Sequence, residues 1–392
     1  MTKRTVVVGA GLAGLRSAQA LRRHSYDGAI TLLGAEPSLP YDRPPLSKDV
    51  LLGKAEPDSL FLTTDQALAD LDIDFRPGTT ATALDVASRR LTVDSGELDY
   101  ENLIIATGSA ARRFPGADDL GGVHVVRTVS DAVAVRDALT TGPRVAVIGG
   151  GFIGSEVAST ARLLGLEVTV IDPLPTLMVR GLGTQVGERL GDLHRANGVE
   201  LRLGTGVAGF VADDSGRQVR GVRCEDGSVV PADLVVVGIG SVPNIGWLAG
   251  SGLAVGDGIE CDDHLRAATG VYAVGDVARH PDPVSGASVR AEHWTAATEH
   301  ADAVARTITG TPTALTEPGY VWSDQHGVKI QVVGSVQPAD EVRIVIDEAP
   351  KLLAVAGSAG RQHAAIGVKA AAGVMKERSK IAAGAAWPPD EL

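Results

Sequence analysis

Two glycine-rich segments have the residue types and the spacing that hold the phosphates of a dinucleotide. The first, at residues 9–14, reads Gly-Ala-Gly-Leu-Ala-Gly. In this pattern Gly9 forms the tight turn, Gly11 lets the backbone approach a pyrophosphate, and Gly14 lets the following helix pack closely on the preceding strand. A helix that begins here presents backbone N–H groups and a favourable dipole to the phosphate charge.

The elements around the first segment are those that such a turn requires. A β-branched run at 5–8 predicts a buried strand, and alanine and leucine at helical spacing predict a helix over 15–23. A second strand predicted at 29–33 leads to Glu36, whose carboxylate can accept hydrogen bonds from a ribose hydroxyl. The glycine spacing alone is a weak signal in a chain with 48 glycines, but the full order of elements predicts a dinucleotide site.

The same order of elements recurs at residues 144–172. A strand predicted at 144–148 precedes Gly-Gly-Gly-Phe-Ile-Gly, and a helix predicted over 155–164 and a strand over 167–171 lead to Asp172. Two complete fingerprints predict two bound dinucleotides. The residues of the second turn assigned to its nucleotide are Gly149, Gly151, Ile153 and Gly154.

Asp172 predicts a preference for NADH over NADPH. A carboxylate at this position accepts a hydrogen bond from the ribose 2′-hydroxyl and repels a 2′-phosphate. Two alternatives stay open. An aspartate before Pro173 is also typical of a residue that starts a turn, and Arg180, expected in a flexible loop, could reach a phosphate.

Composition excludes several classes of function. A length of 392 residues predicts two to three domains. The formal net charge of −12 disfavours binding to nucleic acid or to an anionic membrane. No run approaches the roughly 20 apolar residues of a membrane helix, and no signal peptide is evident. Cys224 and Cys261 are expected to be ordinary buried thiols, so no metal site is predicted and the expected compartment is the cytoplasm.

Three further predicted strands, at 103–108, 234–240 and 271–276, end in small residues, which is where ligands bind in open α/β sheets. Two of these ends, Ala106-Thr107-Gly108 and Gly275-Asp276, resemble motifs of the two-dinucleotide-binding flavoproteins with the glutathione-reductase-like fold. The resemblance implies an α/β fold with two Rossmann-like domains and a small C-terminal α+β interface domain. The implied boundaries are 1–112 with 243–320 for FAD, 113–242 for NAD and 321–392 for the interface domain.

The segment at 40–48, Pro-Tyr-Asp-Arg-Pro-Pro-Leu-Ser-Lys, selects a branch of that superfamily. Disulfide reductases carry redox cysteines in this region or in the second unit, and no other side chain replaces a thiol in disulfide exchange. The segment instead resembles that of the ferredoxin reductases that serve cytochrome P450s and ring-hydroxylating dioxygenases. Arg127, Trp294 and Trp322 are further matches. Rubredoxin reductases and apoptosis-inducing-factor-like proteins share part of this set.

The resemblance places the Lys48 amine near flavin N5 and pairs it with Glu156, which is expected on the first turn of the 155–164 helix. The lysine would stabilise reduced flavin and the glutamate would orient it. The alternatives are a solvated lysine, a glutamate that only complements the helix dipole, and tryptophans that serve packing. Gly9, Gly11, Gly14 and Glu36 are predicted to bind FAD. The other predicted FAD-binding residues are Ala13, Arg43, Lys48, Ala81, Ala106, Thr107, Gly108, Arg127, Asp276, Trp294 and Trp322. Those predicted for NAD besides the second turn are Glu156, Asp172, Arg180 and Gly240.

The implied reaction is hydride transfer from NADH to FAD, followed by transfer of single electrons to a [2Fe–2S] ferredoxin. Residues 321–392 contain equal numbers of acidic and basic residues, so this neutral region, near the flavin edge, is the expected docking face for an acidic ferredoxin. Rubredoxin reductase, quinone or dye reductase, and a redox-sensing FAD/NADH scaffold stay open as alternatives. The chain departs from the family at a shortened hairpin over 341–355 and at Ala296 and His300, where relatives tend to carry Asn and Gln.

Overall fold

The computed structural model describes residues 3–118 and 120–389. Eight α-helices lie within these ranges: α1 Leu12–Arg23, α2 Asp65–Asp70, α3 Val129–Leu139, α4 Phe152–Leu163, α5 Val179–Leu182, α6 Thr184–Ala196, α7 Trp294–Ile308 and α8 Ala371–Ala382. Short 3-10 helices are formed by Pro44–Ser47, Pro57–Leu60, Gly246–Leu248 and Gly275–Val277. None of the helices in the described ranges is long and apolar enough to cross a membrane.

The chain divides into two compact units, each assembled from separated segments. The first contains the residues up to Asp42 together with Phe61–Ala110 and Val242–Val321. The second contains Arg43–Leu60, Ala111–Ser241 and the residues from Trp322 onward. The domain boundaries inferred from the resemblance stay a prediction.

A six-stranded sheet forms the centre of the first unit. Its strands, in spatial order, are Arg266–Ala268, Val271–Ala273, Asn102–Ile105, Arg4–Val8, Ala29–Gly34 and Ile73–Pro77. The strand Arg4–Val8 pairs in parallel with both of its neighbours and places Val6 beside Thr31 and Leu103. Val6 is fully buried, as expected for a parallel strand covered on both faces. Strands that follow Arg4–Val8 in the chain lie on both sides of it, so the strand order changes direction at this strand. Open α/β sheets bind ligands at the carboxyl ends of the strands at such a point.

The second unit repeats this arrangement. Its parallel sheet contains, in spatial order, Val199–Leu203, Val168–Asp172, Val145–Ile148, Leu234–Val237 and Val123–His124. The strand Val145–Ile148 occupies the place of Arg4–Val8, with parallel neighbours on both sides. The predicted α/β class with two Rossmann-like sheets is confirmed, although the edge strand Arg266–Ala268 of the first sheet runs antiparallel to Val271–Ala273.

Smaller sheets complete both units. In the first unit they are Ala81–Asp85, Arg90–Val93 and Gly96–Asp99, and Val255–Gly256, Gly258–Glu260, Ala278–Pro281 and Ser288–Val289. In the second they are Val207–Ala212, Val219–Cys224 and Val229–Pro231. The strands Ser109–Ala111 and Ser241–Pro243 pair where the chain passes from one unit to the other.

The C-terminal segment forms an antiparallel sheet that carries α8. Its strands, in spatial order, are Tyr320–Gln325, Val328–Gly334, Arg361–Val368, Lys351–Ser358 and Glu341–Glu348. The predicted short hairpin is present, since Glu348 pairs directly with Lys351 and only Ala349 and Pro350 lie between them. Ser323 and Gln325 on the first strand of this sheet are buried.

Some local expectations were wrong. Helices α1 and α4 begin at Leu12 and Phe152, three residues earlier than predicted, because Gly11 and Gly151 adopt extended backbone and serve as N-caps. Glu156 is therefore the fifth residue of α4, beyond the first turn in which a carboxylate complements the helix dipole. Cys224 is buried as expected, whereas Cys261 is only partly buried.

Candidate functional site

The first glycine turn has the backbone geometry that its sequence predicts. Gly9 has a φ of +108°, and a Cβ atom there would lie 2.2 Å from the Ala106 carbonyl oxygen. A Cβ at Gly14 would lie 1.8 Å from the carbonyl oxygen of Gly9, so α1 packs on the turn more closely than any side chain permits. No described atom lies within 4 Å of a Cβ built at Gly11. Space for a phosphate group therefore opens at Gly11, and no side chain caps α1 there.

The second turn reproduces this geometry. A Cβ at Gly149 would lie 2.4 Å from the Gly238 carbonyl oxygen, and one at Gly154 would lie 2.0 Å from the Gly149 carbonyl oxygen. Gly151 again faces open space, and no side chain caps α4. Ile153, in the first turn of α4, is 44% exposed, which is unusual for an isoleucine. Both turns thus leave first-turn N–H groups for an anion.

Strand-end residues of the first unit surround its glycine turn. A Cβ built on Gly275, which has a φ of +69°, would lie 2.9 Å from the Ala13 side chain, so the turn that carries Asp276 lies against the start of α1. The Asp276 carboxylate accepts a hydrogen bond of 3.1 Å from Ser109 Oγ. The strand ends at Ala106, Thr107 and Gly108 are held in place because Thr107 Oγ1 donates to the Asn244 carbonyl oxygen at 2.9 Å.

Two further predicted residues of the first unit have polar partners. Tyr41 donates a hydrogen bond of 2.7 Å to Glu36 Oε2, which fixes the carboxylate two residues beyond the strand Ala29–Gly34. Trp294 begins α7 and donates from Nε1 to Asp42 Oδ1 at 2.8 Å. Ala81 begins a strand of the three-stranded sheet. Trp294 therefore does not serve packing alone, because its indole N–H donates to the Asp42 carboxylate.

Asp172 has a structural role as well as a predicted binding role. It is the last residue of its strand, and its Oδ2 accepts a hydrogen bond of 2.6 Å from the Gly150 N–H. Its Oδ1 accepts one of 2.8 Å from the Leu174 N–H, so the aspartate also starts the turn that was the open alternative. Each oxygen has a second lone pair, which leaves acceptor capacity for a ribose hydroxyl. Arg180 is exposed, but it lies on the short helix α5 and not in a loop as expected.

Four other predicted residues of the second unit are Arg43, Arg127, Gly240 and Trp322. Arg43 donates from Nη1 to the carbonyl oxygen of Arg127 at 2.6 Å. Gly240 has a φ of +98° just after the strand Leu234–Val237, and its carbonyl oxygen accepts a hydrogen bond from the Arg112 N–H. Trp322 is half-buried on the strand Tyr320–Gln325.

Lys48 and Glu156 meet in the second unit. Two prolines start the 3-10 helix Pro44–Ser47 and fix its backbone, and Lys48 follows at its end. Lys48 Nζ lies 2.8 Å from Glu156 Oε1, and the two side chains are 18% and 4% exposed. A solvated lysine, the open alternative, is therefore wrong. A positive charge is held at one position by a buried carboxylate.

Two serines that the sequence analysis missed complete the surroundings of Glu156. Ser47 Oγ donates to Oε2 at 2.5 Å and Ser323 Oγ donates to Oε1 at 2.6 Å. Thr160, one turn further along α4, donates to the Ser47 carbonyl oxygen at 3.0 Å and so fixes the 3-10 helix on α4. The sequence signal for these two serines is that each lies next to a predicted site residue, since Ser47 precedes Lys48 and Ser323 follows Trp322.

Comparison with known proteins decides the family. Residues 3–301 match the family described as pyridine nucleotide-disulphide oxidoreductase, and residues 320–392 match the one described as reductase C-terminal. The chain belongs to the pyridine nucleotide-disulphide oxidoreductase family. The predicted class of enzyme, an oxidoreductase, is therefore confirmed.

Relatives within the family carry the names that the resemblance suggested. The chain is 40% identical to the ferredoxin–NAD(+) reductase component of the anthranilate 1,2-dioxygenase system of Burkholderia cepacia, over 99% of this chain and 96% of that protein. It is 39% identical to the rhodocoxin reductase of Rhodococcus erythropolis, over 86% of this chain and 79% of that protein. The first of these names is that of a ferredoxin reductase component of a dioxygenase system.

A solved structure shows the same fold. The covalent complex of putidaredoxin reductase with putidaredoxin matches with a TM-score of 0.94 and 33% identity, over 97% of this chain and 93% of that chain. The family and the fold class predicted from the motifs are confirmed.

Proposed function

We propose that this oxidoreductase is an NADH-dependent ferredoxin reductase of an oxygenase system. The Lys48–Glu156 pair carries the proposal. Members of the superfamily that exchange disulfides need two thiols, whereas the segment at 40–48 contains no cysteine and supplies an ammonium group held by a buried carboxylate. This arrangement suits transfer of electrons through a flavin without a thiol.

The first unit fits FAD. Gly11 leaves room for a pyrophosphate beside the uncapped N-terminus of α1, and Glu36 lies just beyond the end of the next strand, where a ribose is held in this fold. Asp276, against the start of α1, is proposed to bind the ribityl or phosphate region. FAD supplies the capacity to accept two electrons as a hydride and to pass them on singly. The remaining FAD-binding assignments stay predictions.

The second unit fits NADH. Gly151 and the uncapped N-terminus of α4 offer the same phosphate site, and Asp172 presents a carboxylate at the end of the next strand. Two backbone N–H groups hold that carboxylate, so it cannot turn away from a 2′-phosphate without breaking them. We propose NADH as the preferred donor on this ground. The names of the relatives support the same choice.

Lys48 and Glu156 are proposed to act electrostatically during hydride transfer. The ammonium group stabilises negative charge that develops on the group receiving the hydride, and it needs no reorganisation because Glu156 already holds it. Glu156 is in turn held by Ser47 and Ser323, so the pair has a fixed geometry before the nucleotide arrives. Such preorganisation is what makes an electrostatic contribution effective.

The proposed acceptor is a [2Fe–2S] ferredoxin that docks near the neutral C-terminal region. The relatives named ferredoxin–NAD(+) reductase, and the complex of a neighbour with putidaredoxin, support a small redox protein as partner. Rubredoxin, a quinone or a dye are the alternative acceptors. A scaffold that only binds both nucleotides is the non-catalytic alternative, which the buried Lys48–Glu156 pair disfavours. A cytoplasmic location stays a prediction from the composition.

The test starts from the absorbance spectrum of the purified protein and an anaerobic titration with NADH and, separately, NADPH. We expect a yellow protein that NADH bleaches rapidly and NADPH slowly. The reduced protein should then reduce a ferredoxin faster than ferricyanide at equal concentration. A colourless protein would overturn the cofactor assignment, and rapid bleaching without ferredoxin reduction would favour the quinone or dye reductase.

A further inference from the structure

A line of hydrogen bonds leads from Glu156 to a pair of histidines within the second unit. Ser323 Oγ lies 2.6 Å from Glu156 Oε1, and Gln325 Nε2 lies 3.0 Å from Ser323 Oγ. Gln325 Oε1 lies 2.9 Å from His194 Nε2, and His194 Nδ1 lies 3.1 Å from His326 Nε2. The site residues predicted from the sequence include none of the four residues Ser323, Gln325, His194 and His326.

The carboxylate at one end determines the direction of the whole line. A carboxylate only accepts hydrogen bonds, so Ser323 must donate its single hydrogen to Glu156. Ser323 therefore accepts from Gln325, which turns its amide N–H₂ toward the serine and its carbonyl oxygen toward His194. His194 must then carry its hydrogen on Nε2. Its Nδ1 is an acceptor, to which His326 donates from Nε2.

Burial keeps the middle of this line in one arrangement. Ser323, Gln325 and His194 are buried, whereas His326 is half-buried. The histidine rings meet edge to face with centroids 4.4 Å apart. The His326 backbone N–H also donates to Ser159 Oγ on α4 at 2.7 Å, which ties the line to the helix that carries Glu156.

Both histidines are neutral near pH 7. Burial lowers the pKa of His194, although its hydrogen bond with Gln325 acts in the opposite direction. Burial, His194 and Arg162 on α4 together lower the pKa of His326 to about 4. His326 lies in the turn between the strands Tyr320–Gln325 and Val328–Gly334, on which Asp324 and Lys329 form an ion pair with each other. A neutral His194 has one hydrogen and one lone pair on its ring, as the direction of the line requires.

We propose that Ser323, Gln325 and His194 are positioning residues that hold the Glu156 carboxylate toward Lys48 for hydride transfer. This inference rests on the proposed function, because it assigns these residues to the reaction in which Lys48 and Glu156 take part. Oε1 of Glu156 receives both the Lys48 and the Ser323 hydrogen bonds, so the serine fixes the oxygen that holds the ammonium group. Gln325 and His194 act only through Ser323.

The first test measures the tautomer of His194 by nitrogen-15 NMR of the oxidised protein without NADH or ferredoxin. We expect neutral His194 to carry its hydrogen on Nε2 near pH 7, and a His194→Gln sample identifies its signals. In Gln325→Glu, the new carboxylate accepts from His194 and should raise the His194 pKa, whereas the exposed control Gln66→Glu should not. A wild-type His194 protonated on Nδ1 would overturn the inference even if the enzyme reduces ferredoxin.

The second test compares Ser323→Ala with Ser323→Thr by stopped-flow reduction of the flavin with NADH. Loss of one hydrogen bond to a charged group predicts a reduction rate about tenfold slower in Ser323→Ala, with an unchanged Kd for NADH. Ser323→Thr keeps the hydroxyl and should restore most of the rate. Equal rates in Ser323→Ala and the wild type would overturn the inference and leave the proposed function standing. If Ser323→Ala does not fold, the tautomer and Gln325→Glu still decide.

Discussion

Lys48 Nζ and Glu156 Oε1 lie 2.8 Å apart, although 108 residues separate them in the chain. Burying two charges has a large desolvation cost, which their attraction offsets only when the remaining hydrogen-bonding capacity is also satisfied. Ser47 and Ser323 satisfy it on the carboxylate. A pair that is this fully bonded is a fixed electrostatic feature of the second unit.

Replacing Lys48 by methionine should slow reduction of the flavin by NADH by on the order of 10²–10³, the effect seen when one preorganised electrostatic group is removed. Methionine keeps much of the side-chain volume and removes the charge together with the hydrogen bond to Glu156. Stopped-flow absorbance at saturating NADH measures the rate. Lys54→Met, at an exposed position close in the chain, is the matched control and should leave the rate unchanged. A Lys48→Met rate within twofold of the wild type would remove Lys48 from the mechanism.

Two glycines of the first turn should respond differently to alanine. In Gly14→Ala the new Cβ would lie 1.8 Å from the Gly9 carbonyl oxygen, so the backbone must move and the apoprotein should lose about 3 kcal/mol of folding free energy. In Gly11→Ala the Cβ meets no described atom within 4 Å, and the backbone suits any residue. We expect Gly11→Ala to fold normally but to bind FAD at least about tenfold more weakly, since the methyl group enters the space for the pyrophosphate.

Urea unfolding of both apoproteins and FAD titration of Gly11→Ala distinguish these outcomes. Normal FAD affinity in Gly11→Ala would show that the dinucleotide does not approach this turn. Normal stability in Gly14→Ala would show that the packing of α1 on the turn contributes little.

The parts of the site that the sequence predicted are those with a local signal. The glycine turns, their strands and the acids Glu36 and Asp172 follow each other within about thirty residues, so periodicity and spacing reveal them. The sequence pattern places the helix starts three residues too late because it counts residues 12–14 and 152–154 as part of the turn, although an extended glycine already caps each helix.

The partners of Glu156 have no local signal. Ser47 and Ser323 lie 109 and 167 residues away from it in the chain, and only the packing of α4 against the 3-10 helix and the C-terminal sheet brings them together. Serine, glutamine and histidine are common on surfaces, so their types alone did not distinguish them. The Lys48–Glu156 pairing itself was inferred from the resemblance and not from spacing.

Asp172→Ala should reduce the preference for NADH over NADPH. The substitution removes the negative charge that opposes a 2′-phosphate, and a difference of about 1.4 kcal/mol would change the ratio of the two Kd values about tenfold. It also frees the Gly150 and Leu174 N–H groups, so both Kd values should rise, with that for NADH rising more. Asp172→Asn removes the charge but keeps one of the two acceptor oxygens, so it retains one of the two backbone hydrogen bonds while it reduces the repulsion of a 2′-phosphate. An unchanged ratio in both variants would move the determinant of specificity to another residue.

His300 should make the folded protein sensitive to acid. It is buried on α7, its Nδ1 accepts a hydrogen bond of 3.2 Å from the Gly275 N–H, and burial, with smaller effects of His280 and His293, lowers its pKa to about 3. Because the pKa is about 6.5 in the unfolded chain, the unfolded state binds the proton first as the pH falls. Its contribution to stability is therefore fully present above pH 6.5 and is lost between pH 6.5 and pH 3.

His300→Gln tests this directly, because the amide oxygen can still accept the Gly275 hydrogen bond and glutamine does not titrate. Between pH 6 and pH 4 the free energy of unfolding of the variant should change less steeply than that of the wild type, by up to about 1.4 kcal/mol per pH unit. Urea unfolding at pH 8, 6, 5 and 4 gives the two slopes. His194, His280, His293 and His326 also have lowered pKa values, so an acid-dependent loss should remain in the variant. Equal slopes would mean that the pKa of His300 is the same in the folded and the unfolded protein. That result would contradict burial as the cause of a lowered pKa.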